Sequence, residues 1–318
     1  MTATTLKRHK LNKNSFAYKI KKDFKNNRGL YALIIPGFLL LILFSFVPLY
    51  GITMAFQRYD SSLGVFGSPF IGFENFRRFF SSPYFSEIFR NTLLISLFSL
   101  VVGFVFPLIF ALSLNSVENL RFKKFVQMIS YAPYFISVVV IVAMINIFFD
   151  GDNSVFANFV RLFGGEVKNN PITDPKSFYS LYVWSGLWQI LGWNSIIYVS
   201  ALSSVSPELY EAATLEGATK LQKIWYIELP TILPTIVTLL ILSAGSILGV
   251  GFEKVYLMQN ADNLETSEVI STYVYKKGIL SSDYGLGTAV GLFNSVISFL
   301  MLMIVNFFAK KFTKYSVI

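Results

Sequence analysis

Six long apolar segments constrain the fold of this sequence more than any other feature. A helix that crosses a lipid bilayer needs about 20 mostly apolar residues, and each segment meets that requirement. The predicted spans cover approximately residues 30–50, 92–114, 126–149, 179–202, 231–252 and 286–308. Two prolines inside the first span and one inside the second are tolerated, because packing in a membrane satisfies the freed backbone groups. The sequence therefore predicts an all-α integral membrane protein with six transmembrane helices.

Composition supports a membrane protein and excludes several kinds of chemistry. Charged residues make up 14% of the chain, against about 25% in an average soluble domain. The chain has no cysteine, and its single histidine is His9 in a basic tail. Thiolate chemistry, histidine catalysis and histidine metal sites are therefore not expected. Because the spans hold almost no ionisable residue, we expect no catalytic residue and no metal site.

The distribution of Lys and Arg predicts that both termini are cytoplasmic. Residues 1–28 hold nine Lys or Arg and one Asp, and the short segments 121–124 and 310–314 are also basic. By the positive-inside rule these segments share the cytoplasmic side. The predicted organisation is a basic tail at 1–29, a six-span domain at 30–309 and a short basic tail at 310–318. The first tail is interpreted as a topology signal that binds anionic lipid, with no nucleic-acid partner.

The polar connection between the fourth and fifth spans predicts a helix–turn–helix hook. Ser206 is a suitable N-cap for a first short helix. Gly217 can adopt the left-handed conformation that ends that helix. Residues 219–229 are then predicted to form a second short helix, which Pro230 closes. From this local pattern alone, an amphipathic loop lying on the membrane surface is an equal alternative.

The order of residues in the hook, predicted at 203–230, resembles a known coupling motif. It runs Glu211-Ala212-Ala213, then Gly217, then Ile227, then Leu229-Pro230. This order is similar to the cytoplasmic coupling motif of binding-protein-dependent ABC importer permeases. Its placement between the fourth and fifth of six spans agrees with the charge-based topology, which favours the coupling interpretation over the surface loop.

The resemblance extends from about residue 32 to the C-terminus. The chain looks like the sugar permeases of the maltose and glycerol-phosphate importers, and closest to their polysaccharide-type branch. The short stretches that carry this likeness are Pro48-Leu49-Tyr50-Gly51, Ser82-Pro83-Tyr84-Phe85, Arg90-Asn91-Thr92-Leu93 and Arg121-Phe122-Lys123-Lys124. The resemblance implies the permease core of a type I ABC importer in the bacterial cell membrane.

The family also implies partners and the place of ATP. Its members work with a second homologous permease, a dimer of ATP-binding subunits and an extracellular substrate-binding lipoprotein. The sequence contains no Gly-x-x-x-x-Gly-Lys-Ser/Thr phosphate-binding loop. We therefore expect this chain to bind no cofactor and to be no enzyme, with ATP and Mg used by the partner ATPase.

Residues of the hook are assigned to ATPase coupling by this resemblance. Glu211 would offer a carboxylate to a donor in the ATPase groove, and the two alanines after it would allow close packing. Leu215 is predicted either to plug the ATPase or to pack against its own bundle, and both interpretations stay open. The predicted coupling residues are Glu211, Ala212, Ala213, Leu215, Gly217, Ala218, Ile227, Leu229 and Pro230.

One face of the fourth span is the predicted substrate path. Its members fall at i+3 and i+4 spacing, and aromatic faces, a glycine and a hydroxyl suit a sugar ring. An interfacial aromatic belt is the alternative for the tryptophans. Phe252 and Glu253, at the end of the fifth span, are further candidates, although Glu253 with Lys254 can equally be a surface charge pair. The predicted path residues are Trp184, Trp188, Leu191, Gly192, Ser195, Phe252 and Glu253.

The function predicted from these features is that of a permease subunit in an ATP-driven importer of oligosaccharides or polysaccharide fragments. One alternative is the same architecture carrying glycerol phosphate, although the scarcity of basic residues in the spans argues against an anionic cargo. An intramembrane enzyme lacks the ionisable residues that it would need. A non-transporting scaffold or receptor would have no use for a complete coupling motif.

Overall fold

The computed structural model describes residues 23–24, 26–167 and 170–313, with the backbone alone for Phe312. The predicted tails at 1–29 and 310–318, including His9, fall largely outside these described residues. In the described part of the chain the regular structure is helical, with one isolated antiparallel bridge between Gln57 and Phe70. The chain divides into two compact units, residues 1–53 and 54–318.

The first unit contains helix α1, which continues without interruption into a π turn and a 3-10 segment. The π turn covers Ile42–Phe46, and the 3-10 segment Val47–Phe56 runs across the boundary between the two units. Together they form a helical run from Arg28 to Phe56 that is long and apolar enough to cross a membrane. Pro36 lies inside it, as the sequence allowed.

Fifteen α-helices are present in the described ranges. Their bounds are α1 Arg28–Leu41, α2 Gly64–Gly67, α3 Glu74–Phe80, α4 Phe85–Asn115, α5 Leu120–Tyr131, α6 Val138–Phe149, α7 Val155–Leu162, α8 Phe178–Leu202, α9 Pro207–Leu215, α10 Lys220–Lys223, α11 Leu229–Ala244, α12 Phe252–Met258, α13 Leu264–Ser267, α14 Ile270–Val274 and α15 Tyr284–Thr313.

Four of the predicted spans coincide with continuous membrane-length helical runs. These runs are Arg28–Phe56, Phe85–Asn115, Lys220–Ala244 and Tyr284–Lys311. The predicted fourth span coincides with the 25-residue helix α8, which is less apolar than these four and is not among them.

The predicted third span is a bent pair rather than one straight helix. Residues Leu120–Phe135 and Val138–Phe149 meet at an angle of 101°. Pro133 removes a backbone donor near the end of the first part. Ser137 is extended and caps the second part, since its side chain accepts a hydrogen bond from the amide of Val140. The bent pair counts as a fifth membrane span only if its two parts together cross the membrane once.

The predicted fifth span is shifted toward the N-terminus in the structure. The sequence placed it at 231–252, but the helix runs from Lys220 and ends at Ala244. Gly245, Gly249 and Gly251 follow within seven residues, and this density of glycine disfavours further helix. The prediction of continuous helix to residue 252 is therefore wrong.

The second unit is built around the long contact between α4 and α8. Near one end, a buried cluster joins these helices to α6 and α12; its members include Ile95, Ile141, Phe178 and Val255. Near the hook, α4, α8 and α11 meet through Ala111, Leu112, Tyr198, Leu202 and Ile232. The two ends of α8 are therefore fixed by different neighbours.

The connection after α11 is a packed structure rather than an open loop. Helices α12 to α14 bury the polar residues Asn263, Ser267 and Thr272. Asn91 of α4 donates hydrogen bonds to the carbonyl oxygens of Glu265 and Glu268, at 2.8 and 3.1 Å. These hydrogen bonds hold α12 to α14 against the end of α4.

Candidate coupling hook and interhelical cavities

At the turn of the hook, helix α9 ends at a glycine with both of the hydrogen bonds that such a helix end makes. Gly217 has φ +77°, as the sequence predicted. Its amide donates to the carbonyl of Thr214 at 3.0 Å, and the amide of Ala218 donates to the carbonyl of Ala213 at 2.9 Å. These two bonds form the Schellman motif and satisfy the last carbonyls of α9. The first hook helix therefore ends where the sequence placed its end.

The second helix of the hook continues into the membrane-length run, contrary to the prediction. Thr219 caps α10 in a capping box with Gln222, but Pro230 does not close the helix. A π turn over Ile224–Glu228 leads directly into α11, where Pro230 lies in the first turn. Pro230 has no amide to donate, and the π turn just before it replaces the regular i→i−4 hydrogen bonds, so the proline does not end the run.

Apolar side chains on the hook are strongly exposed. Leu215 is 90% exposed, and Tyr226, Leu221 and Trp225 are also largely exposed. Glu211 and Ala212 are exposed, and Ala213 and Ile227 are half-buried beside Gly217 in a cavity of about 390 Å³. In this conformation Leu215 does not pack against its own bundle. The hook therefore presents an uncovered apolar surface.

A buried carboxylate ties the first hook helix to the ends of two long helices. Glu228 is 3% exposed. Its Oε1 accepts hydrogen bonds from Asn115 at 2.8 Å and from the hydroxyl of Tyr210 at 3.1 Å. Burial, and then the charge of Glu228, raise the pKa of Tyr210 to about 12. The hydroxyl therefore stays protonated at physiological pH and continues to donate to the carboxylate.

The face of α8 that the sequence predicted as a substrate path is divided in the structure. Trp184 and Trp188 line an apolar groove of about 540 Å³ between α6 and α8. Leu191 packs against the Val102, Val183 and Leu187 cluster.

Two residues of that face, Gly192 and Ser195, are buried where α8 crosses α5. A Cβ on Gly192 would lie 2.2 Å from the carbonyl oxygen of Ser130. The hydroxyl of Ser195 donates to the carbonyl of Gly192 at 2.6 Å. Gly192 thus permits close helix packing here, rather than opening space for a ligand.

The opposite side of α8 faces two cavities that are lined by both apolar and polar side chains. Tyr182, Gly186, Gln189 and Ile190 recur at helical spacing, about half a turn away from the tryptophans. One cavity, of about 270 Å³, holds all four of these residues, and the other, of about 260 Å³, is lined by Tyr182 and Ile190 together with polar residues. The polar residues that line one or the other are Ser96, Ser99, Gln189, Asn194, Ser243, Ser246 and Lys254.

The second predicted stretch, at Phe252 and Glu253, lies in the first turn of α12. Phe252 contacts the rings of Tyr256 and Tyr275, with centroids 5.4 and 4.9 Å away. Glu253 is exposed, whereas Lys254 is 7% exposed. A surface pair between Glu253 and Lys254 is therefore absent. The burial of Lys254 could not be predicted from the sequence, because the residue lies just beyond an apolar run.

Membrane-length helices, cavities between them that are partly lined by polar side chains, and an exposed hook define a membrane transport subunit. The chain belongs to the family of binding-protein-dependent transport system inner membrane components, whose match covers residues 103–314. The chain is therefore a permease subunit of an ABC importer in the cell membrane and not an enzyme, and ATP hydrolysis belongs to a separate subunit.

Two relatives from Bacillus subtilis (strain 168) are similar over most of their length. The polygalacturonan/rhamnogalacturonan transport system permease protein YteP is 41% identical over 283 residues, 89% of this chain and 88% of the relative. Protein LplB is 38% identical over 288 residues, 91% of this chain and 90% of the relative.

Solved structures extend the likeness to three dimensions. One similar chain comes from the crystal structure of a bacterial ABC transporter involved in the import of the acidic polysaccharide alginate. It superposes with a TM-score of 0.85 at 36% sequence identity, and the match covers 93% of this chain and 99% of that one. A second crystal structure holds that transporter with an alginate pentasaccharide-bound periplasmic protein; its TM-score is 0.86 at 35% identity, covering 94% and 100%.

Proposed function

We propose that this permease subunit imports oligosaccharides released from polysaccharides and couples their passage to ATP hydrolysis through its hook. The observation that carries the proposal is the hook, a glycine-terminated helix that exposes Leu215 beside the ends of the long helices. The cargo class is supported by the relative named for polygalacturonan and rhamnogalacturonan and by the alginate importer. Glycerol phosphate is the runner-up cargo.

The proposed topology has six transmembrane helices with both termini cytoplasmic. The four membrane-length runs, the bent pair and α8 would supply the six spans. The positive-inside rule supports this orientation. The hook at 203–230 and the basic tails would then share the cytoplasmic face, within a domain organisation of 1–29, 30–309 and 310–318.

The proposed partners are a second homologous permease, two ATP-binding subunits and an extracellular substrate-binding lipoprotein. An exposed amphipathic helix suits insertion into a groove of a partner, where an apolar side chain serves as the anchor. On this proposal Leu215 is the anchor, and Glu211 offers its carboxylate to a donor of the ATPase. ATP and Mg act in the ATPase, and this chain holds no cofactor.

The remaining assigned hook residues would support that contact. Ala212 and Ala213 keep the first helix thin at its exposed side, which allows a partner to approach closely. The Gly217-Ala218 turn sets the angle between the two helices. Ile227, Leu229 and Pro230 would transmit movement of the hook into α11, because they belong to the same continuous helical run.

Two faces of α8 are candidates for the cargo path. The cavity face, with Gln189 and Asn194, offers the hydrogen-bonding groups that sugar hydroxyls need. The tryptophan face, with Trp184 and Trp188, offers stacking surfaces, and it remains the second candidate together with Leu191, Phe252 and Glu253. Gly192 and Ser195, which the sequence placed on the same face, lie in the contact of α8 with α5 and are left out of this candidate.

Uptake of labelled oligosaccharides by proteoliposomes that contain the complete transporter tests both the function and the face. We expect ATP-dependent uptake, reduced severalfold by Asn194→Ala on the cavity face. If Trp188→Ala reduces uptake with intact assembly and Asn194→Ala does not, the path follows the tryptophan face instead. Transport of glycerol phosphate alone, with no oligosaccharide, would contradict the proposed function.

A further inference from the structure

Lys254 is a buried cation that has no carboxylate partner among the residues that the structure describes. Its side chain lies 7% exposed in the first turn of α12. The ion pairs of the described residues are Arg78–Asp283, Lys220–Glu118 and Lys276–Glu268, and none includes Lys254. Lysine is rarely buried unless it is paired, because the ammonium loses its hydration. The position therefore calls for a compensating group.

The contacts that Lys254 makes within the chain compensate for only part of this loss. Its Nζ donates one hydrogen bond, at 2.9 Å, to the carbonyl oxygen of Tyr182. The same atom lies 4.9 Å from the centroid of the Tyr182 ring, a cation–π distance. An ammonium has three donors, so these contacts leave hydrogen-bonding capacity at the cavity that Lys254 lines.

The surroundings leave room for the ammonium and hold it in place. A Cβ on Gly186 would come 3.3 Å from Nζ, so any larger residue would crowd the charge. The hydroxyl of Tyr182 accepts a hydrogen bond from the amide of Gly251 at 3.1 Å, which fixes the ring under the ammonium. Lys254 is thus presented to the cavity by α8 and by the turn before α12.

The cavity beside Lys254 and the cavity adjoining it carry further unused polar groups. The first has a volume of about 270 Å³ and shares Ser99, Gly103, Tyr182 and Ile190 with the second, of about 260 Å³, which Ser96 also lines. The buried hydroxyl oxygens of Ser96 and Ser99 have no hydrogen-bond partner among the described residues. Buried polar groups are normally paired, so these hydroxyls and Lys254 together mark a site for a polar, negatively charged ligand.

We propose that Lys254 binds a carboxylate of the cargo, so that this permease carries acidic oligosaccharides built from uronic acids. The inference rests on the proposed function, and it names the class of sugar. The ammonium would pair with the carboxylate, while the hydroxyls of Ser96 and Ser99 and the amides of Gln189 and Asn194 would meet the sugar hydroxyls. The scarcity of basic residues in the predicted spans argued against such a cargo, but Lys254 lies outside those spans and is nevertheless buried beside the cavity.

The test uses the complete transporter in proteoliposomes with its own binding protein. Uptake is measured for short oligomers of galacturonate, glucuronate and mannuronate and for neutral oligosaccharides of equal length. The variants are Lys254→Met, which keeps the length but removes the charge, and Lys254→Arg, which keeps the charge. Lys277→Met is the matched control, because Lys277 is an exposed lysine of the same connection. Yield of the assembled complex and ATPase activity without cargo are recorded for each variant.

We expect the wild type to import at least one uronate oligomer. Lys254→Met should reduce that uptake by at least about tenfold, the loss of one charge-assisted hydrogen bond. Lys254→Arg should retain most of the uptake and Lys277→Met all of it, with yield and cargo-free ATPase activity unchanged in every variant.

Four other outcomes would overturn the inference. A wild type that imports only neutral oligosaccharides would refute it but leave the proposed function standing, whereas a wild type that imports no oligosaccharide would refute the proposed function itself. Loss of assembly or of cargo-free ATPase activity in Lys254→Met would instead show that Lys254 pairs with a carboxylate of another subunit. Unchanged uronate uptake in Lys254→Met would also contradict the proposal.

Discussion

The turn of the hook requires glycine at position 217 because of the backbone conformation there, and not because a side chain would lack space. The φ of Gly217 is +77°, and a Cβ added there would meet nothing within 4 Å. A side chain therefore fits, but most L-residues avoid this conformation. Asparagine is one of the few exceptions, which makes it possible to separate the conformation from the volume of the side chain.

Replacement of Gly217 by valine should uncouple ATP hydrolysis from uptake. The left-handed conformation costs a non-glycine residue about 1–2 kcal/mol, which shifts the hook's conformational equilibrium by about tenfold. Gly217→Asn, which also fills the space, should retain uptake. The measurement is the ratio of sugar transported to ATP hydrolysed in proteoliposomes. Normal coupling in the valine variant would count against the role of the turn.

At the residue scale, the backbone conformation of a residue could be predicted from the sequence more readily than the burial of its side chain. The left-handed conformation of Gly217 was predictable because a glycine just after a short helix commonly ends that helix in this conformation. Lys254 was not, because its burial depends on Tyr182 and Gly186, some 70 residues away in the chain. The exposure of Leu215 was also undetermined, since an apolar residue on a short helix suits an interface and a core equally well.

At the scale of the element, α8 is held against α5 by the absence of a side chain. A Cβ on Gly192 would lie 2.2 Å from the carbonyl oxygen and 2.4 Å from the carbonyl carbon of Ser130. Both are backbone atoms, so no side-chain rotation can relieve the clash. The close approach of the two helices thus depends on glycine at this position.

Gly192→Ala should therefore impair folding rather than transport alone. Overpacking typically costs about 1–3 kcal/mol, and a backbone neighbour places this site toward the high end. Gly291→Ala is the matched control, because a Cβ at this position in α15 meets nothing within 4 Å. The measurement is the thermal midpoint of the purified complex in detergent. Equal midpoints for the two variants would show that α5 and α8 can separate without cost.

The sequence predicted that the long helices are present, but it did not predict where a helix is bent or where it continues into the next one. Long apolar runs identified α4, α8, α11 and α15, because bilayer thickness fixes how much apolar length a span requires. The bend of 101° between α5 and α6 and the continuous run from Lys220 to Ala244 depend on local choices at Pro133, Ser137 and the π turn. An apolar profile contains no information about such turns.

At the scale of the whole molecule, the function depends on a contact with another chain. The second unit buries a hydrogen-bonded polar network near one end of α4 and exposes apolar side chains on the hook near the other end. The family was predictable because its motif lies within twenty residues of one connection. The particular oligosaccharide was not predictable, because the cavity residues come from α4, α8, α11 and α12, and their sequence order does not reveal that they meet.

The central claim is that the hook docks the ATPase, and co-purification tests it most directly. The tagged chain is purified in mild detergent from its native membrane, as wild type and as Leu215→Asp, and the recovered proteins are identified by mass spectrometry. Because Leu215 is 90% exposed, the aspartate should not destabilise the chain itself. We predict that the wild type brings down a second permease and an ATP-binding subunit, and that Leu215→Asp keeps the permease but loses most of the ATP-binding subunit. Recovery of the wild-type chain alone, or full retention of the ATP-binding subunit by Leu215→Asp, would contradict the account.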